Sequence, residues 1–359
     1  MRDERTIQDL LRRLTLAAGA PGAEDEVRAI VRQEVESVGE ISYDRLGSIL
    51  CEKRGDQPSP RVVLDAHMDE VAFMVQSITR EGMLKFVPLG GWWPHVVLGQ
   101  RVDVVTEKGK VPGVTGSKPP HFLSKKERTA LMDLDAMYID VGATSDKQAS
   151  ELGIQLGDTV VPRSSFEAMA PKDILSSKAF DDRVGVGILC ETLLHLGGER
   201  HPNTVVGVGA VQEEIGCRGA VTASELARPD AGIILEGTPA DDTPGFTERQ
   251  AVLGKGPQIR LYDPTAVSNR KFVRFVKSLA EEKGIDIQLA VRRSGGTDAK
   301  SVHLHDSGVP TVVIGVPARY IHCHVSLIHW QDYLAACNLV AELVRRLDQD
   351  VVDSFVDYS

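Results

Sequence analysis

The chain alternates short apolar runs with amphipathic helical patterns, and one long segment of different texture interrupts this alternation. The apolar runs, which resemble buried strands, cover residues 62–64, 204–211, 231–235 and 310–316. Helical spacing of apolar residues occurs over 7–14, 27–35, 182–196, 272–279 and 334–347. Strands that alternate with helices form largely parallel sheets. We therefore predict an α/β fold built on a mostly parallel, mixed sheet that is flanked by helices on both faces.

The first helical segment has a well-defined apolar face. Ile7, Leu10, Leu11 and Leu14 fall at positions i, i+3, i+4 and i+7, which places all four on one side of a helix. Thr6 immediately precedes this pattern and is a residue type that favours the N-cap position. We predict that Thr6 is the N-cap of this helix.

Residues 71–164 have the texture of a small β-rich domain. Short β-like pieces occur at 102–105, 110–114 and 137–141. Turn signals rich in Gly and Pro separate these pieces, and long helical periodicity is scarce. We predict that residues 71–164 form an inserted domain, and that residues 1–70 and 165–359 together form one discontinuous domain.

The overall composition argues against several classes of partner. The formal net charge of −10 disfavours a nucleic-acid partner, because phosphate binding needs a basic face. No apolar run approaches the ~20 residues of a membrane span, and no apolar signal segment follows the charged N-terminus. The five cysteines are widely spaced and form no CxxC pair, which argues against a disulfide framework. We expect a cytoplasmic protein without nucleic-acid or membrane partners.

Acidic residues and histidines recur beside the predicted strand ends and helix starts. These positions are the segments 65–69, 180–183, 212–216 and 319–322, and Glu236. A single carboxylate at a strand end is commonly solvated or caps a helix, but five such positions are harder to explain in that way. Asp181 and Glu214 lie beside strongly apolar segments, where an unpaired charge is costly. Metal ions would neutralise several of these carboxylates at once.

The residue types in these clusters predict a hydrolytic metal centre. Histidine and carboxylate ligands suit zinc and similar divalent ions. Two ions about 4 Å apart, bridged by a carboxylate and a water, form a known hydrolytic arrangement. Neither G-x-S-x-G nor H-E-x-x-H occurs in the sequence, which disfavours a serine hydrolase and a single-zinc protease.

In these residues the chain resembles the dinuclear metallo-aminopeptidases that include the glutamyl, leucyl and deblocking enzymes, some of which form tetrahedral particles. The resemblance covers essentially the whole chain. It is carried by Asp65–Glu70 (DAHMDE), Leu98–Val102 (LGQRV), Pro119–His121 (PPH), Ser177–Gly185 (SKAFDDRVG), Gln212–Gly216 (QEEIG), Gly295–Ala299 (GGTDA) and Arg319–His322 (RYIH). Each motif alone is weak, whereas all of them in order are highly specific. The resemblance implies a catalytic domain of the zinc-peptidase type and a β-barrel-like inserted domain that serves dimerisation.

The same resemblance implies a set of metal ligands. His67, Asp181 and Glu236 would hold one divalent ion. Asp181, Glu214 and His322 would hold the other, so that Asp181 bridges the two, and Zn²⁺ or Co²⁺ are the ions expected. Many relatives carry Asp where Glu236 stands. The Glu side chain reaches one methylene further, so its carboxylate can still be a ligand.

Two further residues take catalytic roles in this comparison. Glu213 would be the general base, which takes a proton from the attacking water and later delivers it to the leaving amine. Asp69 would hydrogen-bond the second nitrogen of His67 and so fix the tautomer of that imidazole.

Several neighbouring residues leave alternatives open. Asp182 could bridge the ions in place of Asp181, or could pair with Arg183. His324 is an alternative imidazole ligand. Asp298 is predicted to be a structural cap or network residue rather than a ligand.

The resemblance implies a metal-dependent aminopeptidase that cleaves N-terminal residues from peptides. The alternatives are a related dinuclear amidohydrolase acting on non-peptide acyl-amino acids, and a non-catalytic assembly protein that kept the fold. Because relatives form dimers and tetrahedral dodecamers, the resemblance also implies a homo-oligomer. His121 is expected either to contact substrate or a neighbouring subunit or to be a surface or packing histidine. Trp92 and Trp93 are expected to pack in a core or an interface.

Overall fold

The computed structural model describes residues 2–359 and contains both helices and strands throughout. The helices are α1 (Glu4–Leu16), α2 (Asp25–Val35), α3 (Lys125–Thr129), α4 (Asp146–Glu151), α5 (Phe180–Leu196), α6 (Arg218–Ala227), α7 (Arg270–Lys283), α8 (Ala299–Val302), α9 (Trp330–Arg346) and α10 (Gln349–Val356). The strands are β1 (Glu40–Tyr43), β2 (Ile49–Arg54), β3 (Arg61–His67), β4 (Ala72–Ile78), β5 (Leu84–Leu89), β6 (Arg101–Thr106), β7 (Gly109–Gly116), β8 (Tyr138–Asp140), β9 (Thr159–Pro162), β10 (Glu167–Ala168), β11 (Ile174–Ser177), β12 (Thr204–Ala210), β13 (Ala231–Pro239), β14 (Gln258–Asp263), β15 (Ala266–Val267), β16 (Gln288–Val291), β17 (Thr311–Arg319) and β18 (Ser326–His329). Within residues 2–359, no helix combines the length and the apolarity that crossing a membrane requires.

The large sheet has parallel strands at its centre and antiparallel strands at its edges. The central order is β12–β3–β13–β17, and each neighbouring pair in this order is parallel. Strands β2 and β1 extend one side in antiparallel fashion, and β18, β11 and β10 extend the other. Strand β14 pairs with β17 and also with the short strands β15 and β16. The predicted α/β fold with a mostly parallel, mixed sheet is confirmed.

Helices cover both faces of this sheet because its central strands are apolar on both sides. Strand β12 is buried along its whole length, as a strand between two helical layers must be. Helices α1, α2, α5, α7 and α9 form one layer, whose main core includes Leu14, Leu189 and Phe272. Helices α6 and α8 form the other layer, where Ala223 and Val302 pack against the sheet. The strand ends between these two layers are left free to carry polar side chains.

The segment between β3 and β10 forms a closed barrel with a core of its own. Its strand order is β4–β5–β8–β7–β6–β9, and the pairs are antiparallel. Strand β6 alternates buried with more exposed residues, as a strand with one face toward a barrel interior does. Phe73, Val102 and Ile139 belong to the barrel core, which is distinct from the core of the large sheet. The predicted β-barrel-like insertion is confirmed.

Two helix starts differ from the sequence predictions. Helix α1 is capped by Asp3, whose side chain accepts a hydrogen bond from the Thr6 amide at 3.1 Å, so the prediction of Thr6 as the N-cap is wrong. Helix α5 begins at Phe180 rather than Asp182, and Asp181 and Asp182 both have non-helical backbone angles. The peptide bond between these two aspartates is cis. Apolar periodicity carries no information about polar residues in a first turn, which is why both starts were missed.

Candidate metal centre and active site

Acidic residues and histidines from four strand ends converge at one edge of the large sheet. His67 is the last residue of β3, and Glu236 lies in β13, its parallel neighbour. Glu213 and Glu214 follow the end of β12, and His322 follows the end of β17. The carboxyl ends of parallel strands meet at the same edge of a sheet. The strand order therefore brings these five side chains together.

Asp181, in the first turn of α5, lies between the two histidines. Its Oδ1 is 3.3 Å from Nε2 of His67. Its Oδ2 is 3.5 Å from Nε2 of His322. Opposite oxygens of one carboxylate thus face different imidazoles, which is the arrangement that a bridging ligand requires.

The potential ligands fall into two adjacent groups. One group contains His67, Asp182 and Glu236, the other contains Asp181, Glu214 and His322, and within each group the ligand atoms lie within 4.8 Å of one another. In the second group, Nε2 of His322 is 3.5 Å from Oε2 of Glu214. The structure therefore brings together all five residues predicted as ligands. It adds Asp182, which the sequence suggested only as an alternative bridge.

Asp182 is held against the backbone of His67 rather than against Arg183. Its Oδ2 accepts a hydrogen bond from the His67 amide at 3.2 Å, and its Oδ1 accepts one from the Gly185 amide at 3.0 Å. The Arg183 guanidinium instead donates to Glu70 at 3.4 Å and to two backbone carbonyls. The suggested ion pair between Asp182 and Arg183 is therefore not formed.

Glu213 lies beside both groups and at the edge of an open cavity. Its Oε2 is 3.9 Å from Nε2 of His67, and its side chain is 12% exposed. Its Oε1 accepts a hydrogen bond from the Cys217 thiol at 3.2 Å. A carboxylate in this position can reach a bound molecule while the protein shields it from bulk solvent.

Asp69 contacts both His67 and the two glutamates. Nδ1 of His67 is 3.1 Å from the backbone oxygen of Asp69 and 3.5 Å from its carboxylate Oδ1. The Asp69 carboxylate accepts hydrogen bonds from the amides of Glu213 at 2.9 Å and Glu214 at 3.0 Å. Asp69 thus orients the backbone that carries the two glutamates, a contact that the sequence did not predict, and also faces the imidazole.

His322 is oriented by a residue of the inserted segment. Its Nδ1 is 2.7 Å from the carbonyl oxygen of Gly91, which lies between β5 and β6. A hydrogen bond from Nδ1–H to this carbonyl leaves Nε2 free to face Asp181 and Glu214. The site is therefore built from both the large sheet and the barrel segment.

Residues 47–339 match the family model of the M42 glutamyl aminopeptidases, and this range contains every residue of the two ligand groups. The chain belongs to the M42 family. The resemblance predicted from the sequence is thereby confirmed. As a member of this family the chain is a peptidase of the aminopeptidase, or exopeptidase, type.

Relatives of this M42 peptidase match it over nearly its whole length. The chain is 34% identical to the glutamyl aminopeptidase of Lactococcus lactis, over 98% of this chain and 99% of that protein. The TET aminopeptidase of a marine sediment archaeon (Thaumarchaeota) has a TM-score of 0.96 at 41% identity, covering 98% of this chain and 99% of that one. The TET1 peptidase of Pyrococcus horikoshii, which can assemble into a tetrahedron or a large octahedral shell, has a TM-score of 0.85 at 31% identity, covering 95% of this chain and 100% of that one.

Burial dominates the electrostatics of the M42 site. Burial raises the pKa of Glu214 to about 8 and that of Glu236 well above its ordinary range. Burial also opposes ionisation of Asp181, but hydrogen bonds to His322 and His67 outweigh it and hold the pKa of Asp181 below its usual value. Burial lowers the pKa of His322, yet the neighbouring carboxylates of Glu214 and Asp181 raise it to about 10. Carboxylates removed from water in this way need cations close to them.

The donor set fits a pair of divalent metal ions. Each group offers one imidazole nitrogen and two carboxylates, the ligand types that zinc and similar ions accept. Asp181 connects the groups because it faces a histidine of each. The residues present therefore agree with the metal dependence of M42 peptidases.

The two groups open into a cavity of about 330 Å³, a volume in the range of small-ligand sites. Glu213 lines it together with three cationic residues, Arg260, Arg292 and Lys300. Each arginine is ion-paired with an aspartate, at 3.3 Å for Arg260 and 2.8 Å for Arg292. None of these three cationic residues belongs to a quoted motif, and none was predicted from the sequence.

Other residues suggested by the sequence lie outside the two groups. His324 is buried with its ring 5.3 Å from that of Trp92, and it belongs to neither ligand group. Trp92 stacks on Phe73 at 4.6 Å in the barrel core, as expected, whereas Trp93 is 61% exposed. His121 is exposed on the inserted segment, and its role stays a prediction.

Asp298 occupies an unexpected position behind Glu213. It is the residue before helix α8, but its side chain makes no capping hydrogen bond. Of the two predicted roles, cap or network residue, the structure favours the second, because the carboxyl groups of Asp298 and Asp65 contact each other. It is buried and forms a further group with Glu213 and Cys217. Cys217 has a positive φ of 56°, and this turn folds its thiol back toward Glu213. Sequence patterns give no signal for such a turn at a residue other than glycine.

Proposed function

We propose that this M42 peptidase removes residues from the free amino end of peptides, using water activated by two divalent metal ions and Glu213 as the general base. The observation that carries the proposal is the position of Asp181, whose two oxygens face His67 at 3.3 Å and His322 at 3.5 Å. Each of these histidines has its own group of carboxylates. The name of the Lactococcus lactis relative, a glutamyl aminopeptidase, supports the same reaction class.

The ligand assignment follows the two groups. His67 and Glu236 would hold one ion, Glu214 and His322 would hold the other, and Asp181 would be shared. Zn²⁺ or Co²⁺ suits these ligands. When bound, such a pair of ions makes water a stronger nucleophile at neutral pH and polarises the carbonyl of the scissile bond.

Glu213 is placed to move the protons of the reaction. It lines the cavity, and its Oε2 lies 3.9 Å from Nε2 of His67. Burial raises the pKa of Glu213 above its ordinary value, which brings this carboxylate closer to the pH at which a general base is most effective. In the proposed reaction Glu213 accepts a proton from the attacking water and then delivers it to the amine that leaves.

Asp69 and Asp182 act as positioning residues in this scheme. Asp69 accepts hydrogen bonds from the amides of Glu213 and Glu214, so it fixes the loop that carries the base and one ligand. Asp182 accepts a hydrogen bond from the amide of His67 and fixes the end of β3. Neither role requires contact with the substrate.

We also propose that the protein is a homo-oligomer assembled through its barrel. The chain matches the Pyrococcus horikoshii TET1 peptidase over 95% of its length, and that protein can assemble into a tetrahedron or a large octahedral shell. On the inserted segment, Trp93 and Phe122 are 61% and 72% exposed. A contact between subunits through the barrel would remove such apolar side chains from water, which is favourable.

Replacing Glu213 with Gln tests the proposed base. The amide keeps the shape of the side chain but cannot accept the proton, so kcat on amino-acid anilides should fall by about 10²–10⁴-fold. The metal content should stay at two ions per chain, because Glu213 is not one of the proposed ligands. The matched control is Glu225→Gln, which changes a side chain that is 74% exposed and should leave kcat unchanged. Full activity in Glu213→Gln would show that Glu213 is not the general base.

A substrate panel tests the reaction class. The proposal predicts activity on peptides and amino-acid anilides that have a free amino end, loss of this activity with a chelator, and recovery with Zn²⁺ or Co²⁺. Activity confined to N-acylated amino acids would instead identify an amidohydrolase.

A further inference from the structure

The loop that carries Glu213 contacts a second buried carboxylate besides that of Asp69. Oε1 of Glu24 accepts a hydrogen bond from the Gln212 amide at 3.2 Å. The next two amides, those of Glu213 and Glu214, donate to Asp69. Three consecutive amides of the loop are therefore bound by two carboxylates from distant parts of the chain, and the proposed mechanism uses only one of these carboxylates.

Glu24 is buried in a position where its carboxylate does nothing for its own helix. It is the N-cap residue of α2, but its side chain makes no capping hydrogen bond. The side chain is 1% exposed, and its Oε1 also accepts a hydrogen bond from the Gly22 amide at 2.7 Å. Burial, together with the negative charge of Asp69, raises the pKa of Glu24 to about 7, so this environment disfavours the carboxylate form. The contact with the loop is thus an interaction that the helix itself does not require.

The neighbouring cation, Arg28, does not explain the position of Glu24. Nη2 of Arg28 is 3.7 Å from Oε2 of Glu24, which is too long for a hydrogen bond. The same guanidinium donates to the carbonyl oxygen of Gly47 and to Asp25, each at 2.6 Å. The hydrogen bonds of Glu24 are made by its other oxygen, the one that faces the loop.

Gln212 has a backbone conformation that needs support from its surroundings. Its φ of 59° lies in the left-handed region, which is unfavourable for a residue other than glycine. Gln212 directly precedes Glu213, so its backbone angles set the direction in which the Glu213 side chain leaves the loop. A hydrogen bond from the Gln212 amide to a buried carboxylate stabilises this conformation.

We propose that Glu24 is a positioning residue for the general base: its Oε1 holds Gln212 in the left-handed conformation and thereby orients Glu213. The inference rests on the proposed role of Glu213 as the base. It requires the length of the Glu24 side chain and an oxygen at its end, but not the negative charge, because an amide oxygen accepts the same hydrogen bonds. Glu24 itself contacts neither substrate nor metal in this role.

Three substitutions at Glu24 in the full-length, metal-loaded enzyme separate length, acceptor and charge. Glu24→Asp keeps the charge and favours the N-cap position, but it withdraws the oxygen from Gln212 by one methylene. We expect kcat on amino-acid anilides to fall by about 10–100-fold, as when a catalytic group is misplaced by about 1 Å, with KM and metal content unchanged. Glu24→Met keeps the length but offers no such oxygen, and it should behave like Glu24→Asp. Glu24→Gln keeps the oxygen and should retain kcat within about threefold.

The matched control is Asp25→Asn. Asp25 is the adjacent acidic residue, is 83% exposed and pairs with the same Arg28, but it does not contact the loop. Its substitution should leave kcat unchanged. Wild-type kcat in Glu24→Asp and Glu24→Met, or an equal loss in Glu24→Gln, would overturn the positioning role. A loss of bound metal in these variants would also overturn it, because the effect would then lie at the ligands rather than at Glu213.

A double-mutant cycle distinguishes positioning of the base from general structural damage. If Glu24 acts through Glu213, Glu24→Asp should lower kcat by less than about threefold further in the Glu213→Gln background. Structural damage would lower kcat by the same factor in both backgrounds, and this result would overturn the inference. Full activity in Glu213→Gln alone would overturn the assignment of the base itself. An impaired Glu213→Gln together with a fully active Glu24→Asp would overturn only the role of Glu24.

Discussion

At the scale of single residues, Asp181 sets the spacing of the two ligand groups. One of its oxygens faces His67 and the other faces His322. Both histidines pull the pKa of this carboxyl below its usual value despite burial, so Asp181 stays ionised while buried carboxyls beside it resist ionisation. The arrangement of the two ligand groups therefore depends on the negative charge of Asp181 and on its two oxygens, each of which faces one group.

Replacing Asp181 with Asn tests whether Asp181 bridges two metal ions, because the substitution changes its charge but hardly its size. The amide removes the negative charge and offers only one oxygen, so the variant should hold fewer than two ions per chain and lose at least about 100-fold in kcat, as expected when paired metal ions are disrupted. Metal analysis and an anilide assay measure the two effects. Asp173→Asn, which changes an exposed side chain, is the matched control. Unchanged metal content in Asp181→Asn would contradict a bridging role.

At the scale of secondary structure, the close approach of β13 to the start of α5 places Asp181. A Cβ atom added at Gly237 would lie 2.7 Å from the Cα of Asp181 and 2.7 Å from the carbonyl oxygen of Phe180. Both are backbone atoms, which cannot turn aside as the end of a flexible side chain can. Glycine is therefore required where β13 passes the turn that carries Asp181, the proposed bridging residue.

Gly237→Ala should displace the start of α5 and with it Asp181. Inserting a methyl group into such a contact typically costs about 1–3 kcal/mol of unfolding free energy. We expect a loss of stability of this size in chemical denaturation, together with weaker metal binding. Gly198→Ala is the control, because a Cβ there meets nothing within 4 Å. If Gly237→Ala keeps wild-type stability and metal affinity, the backbone around Phe180 and Asp181 can move to accept the methyl group without loss of free energy.

The same elements show what the sequence could and could not predict. The positions of His67 and Glu236 were predictable, because each lies on an apolar strand and parallel strands end at one edge. The places of Asp182 and Asp298 were not, because each depends on a turn whose backbone leaves no periodic signal. The contact between Cys217 and Glu213 likewise depends on a positive φ at a residue other than glycine. The sequence patterns thus predicted the layers of the fold and the candidate ligands at the strand ends, whereas the other positions depend on turns that only the folded structure defines.

At the scale of the whole molecule, the barrel presents large apolar side chains away from its own core. Trp93 is 61% exposed although the adjacent Trp92 is buried. An indole with this exposure is costly to leave in water and favourable to bury against another subunit. The proposed assembly should therefore depend on this surface.

Light scattering should give a particle mass several times that of one chain, and Trp93→Asp should reduce it. Circular dichroism should be unchanged, because the substituted side chain contributes little to the barrel core. Tyr358→Asp is the control, since it alters an 85% exposed aromatic near the end of the chain, outside the barrel. A wild-type protein that scatters as a single chain would refute the assembly.

The hydrogen bond between His322 and Gly91 ties turnover to the insertion. A shortened protein, with the barrel excised and its ends rejoined by a linker, would retain every proposed ligand and yet lose the carbonyl that orients one of them. The inserted segment is therefore part of the site and cannot be removed without changing the orientation of His322. If subunits meet through the barrel as proposed, any displacement of Gly91 in that contact would be passed directly to the imidazole of His322.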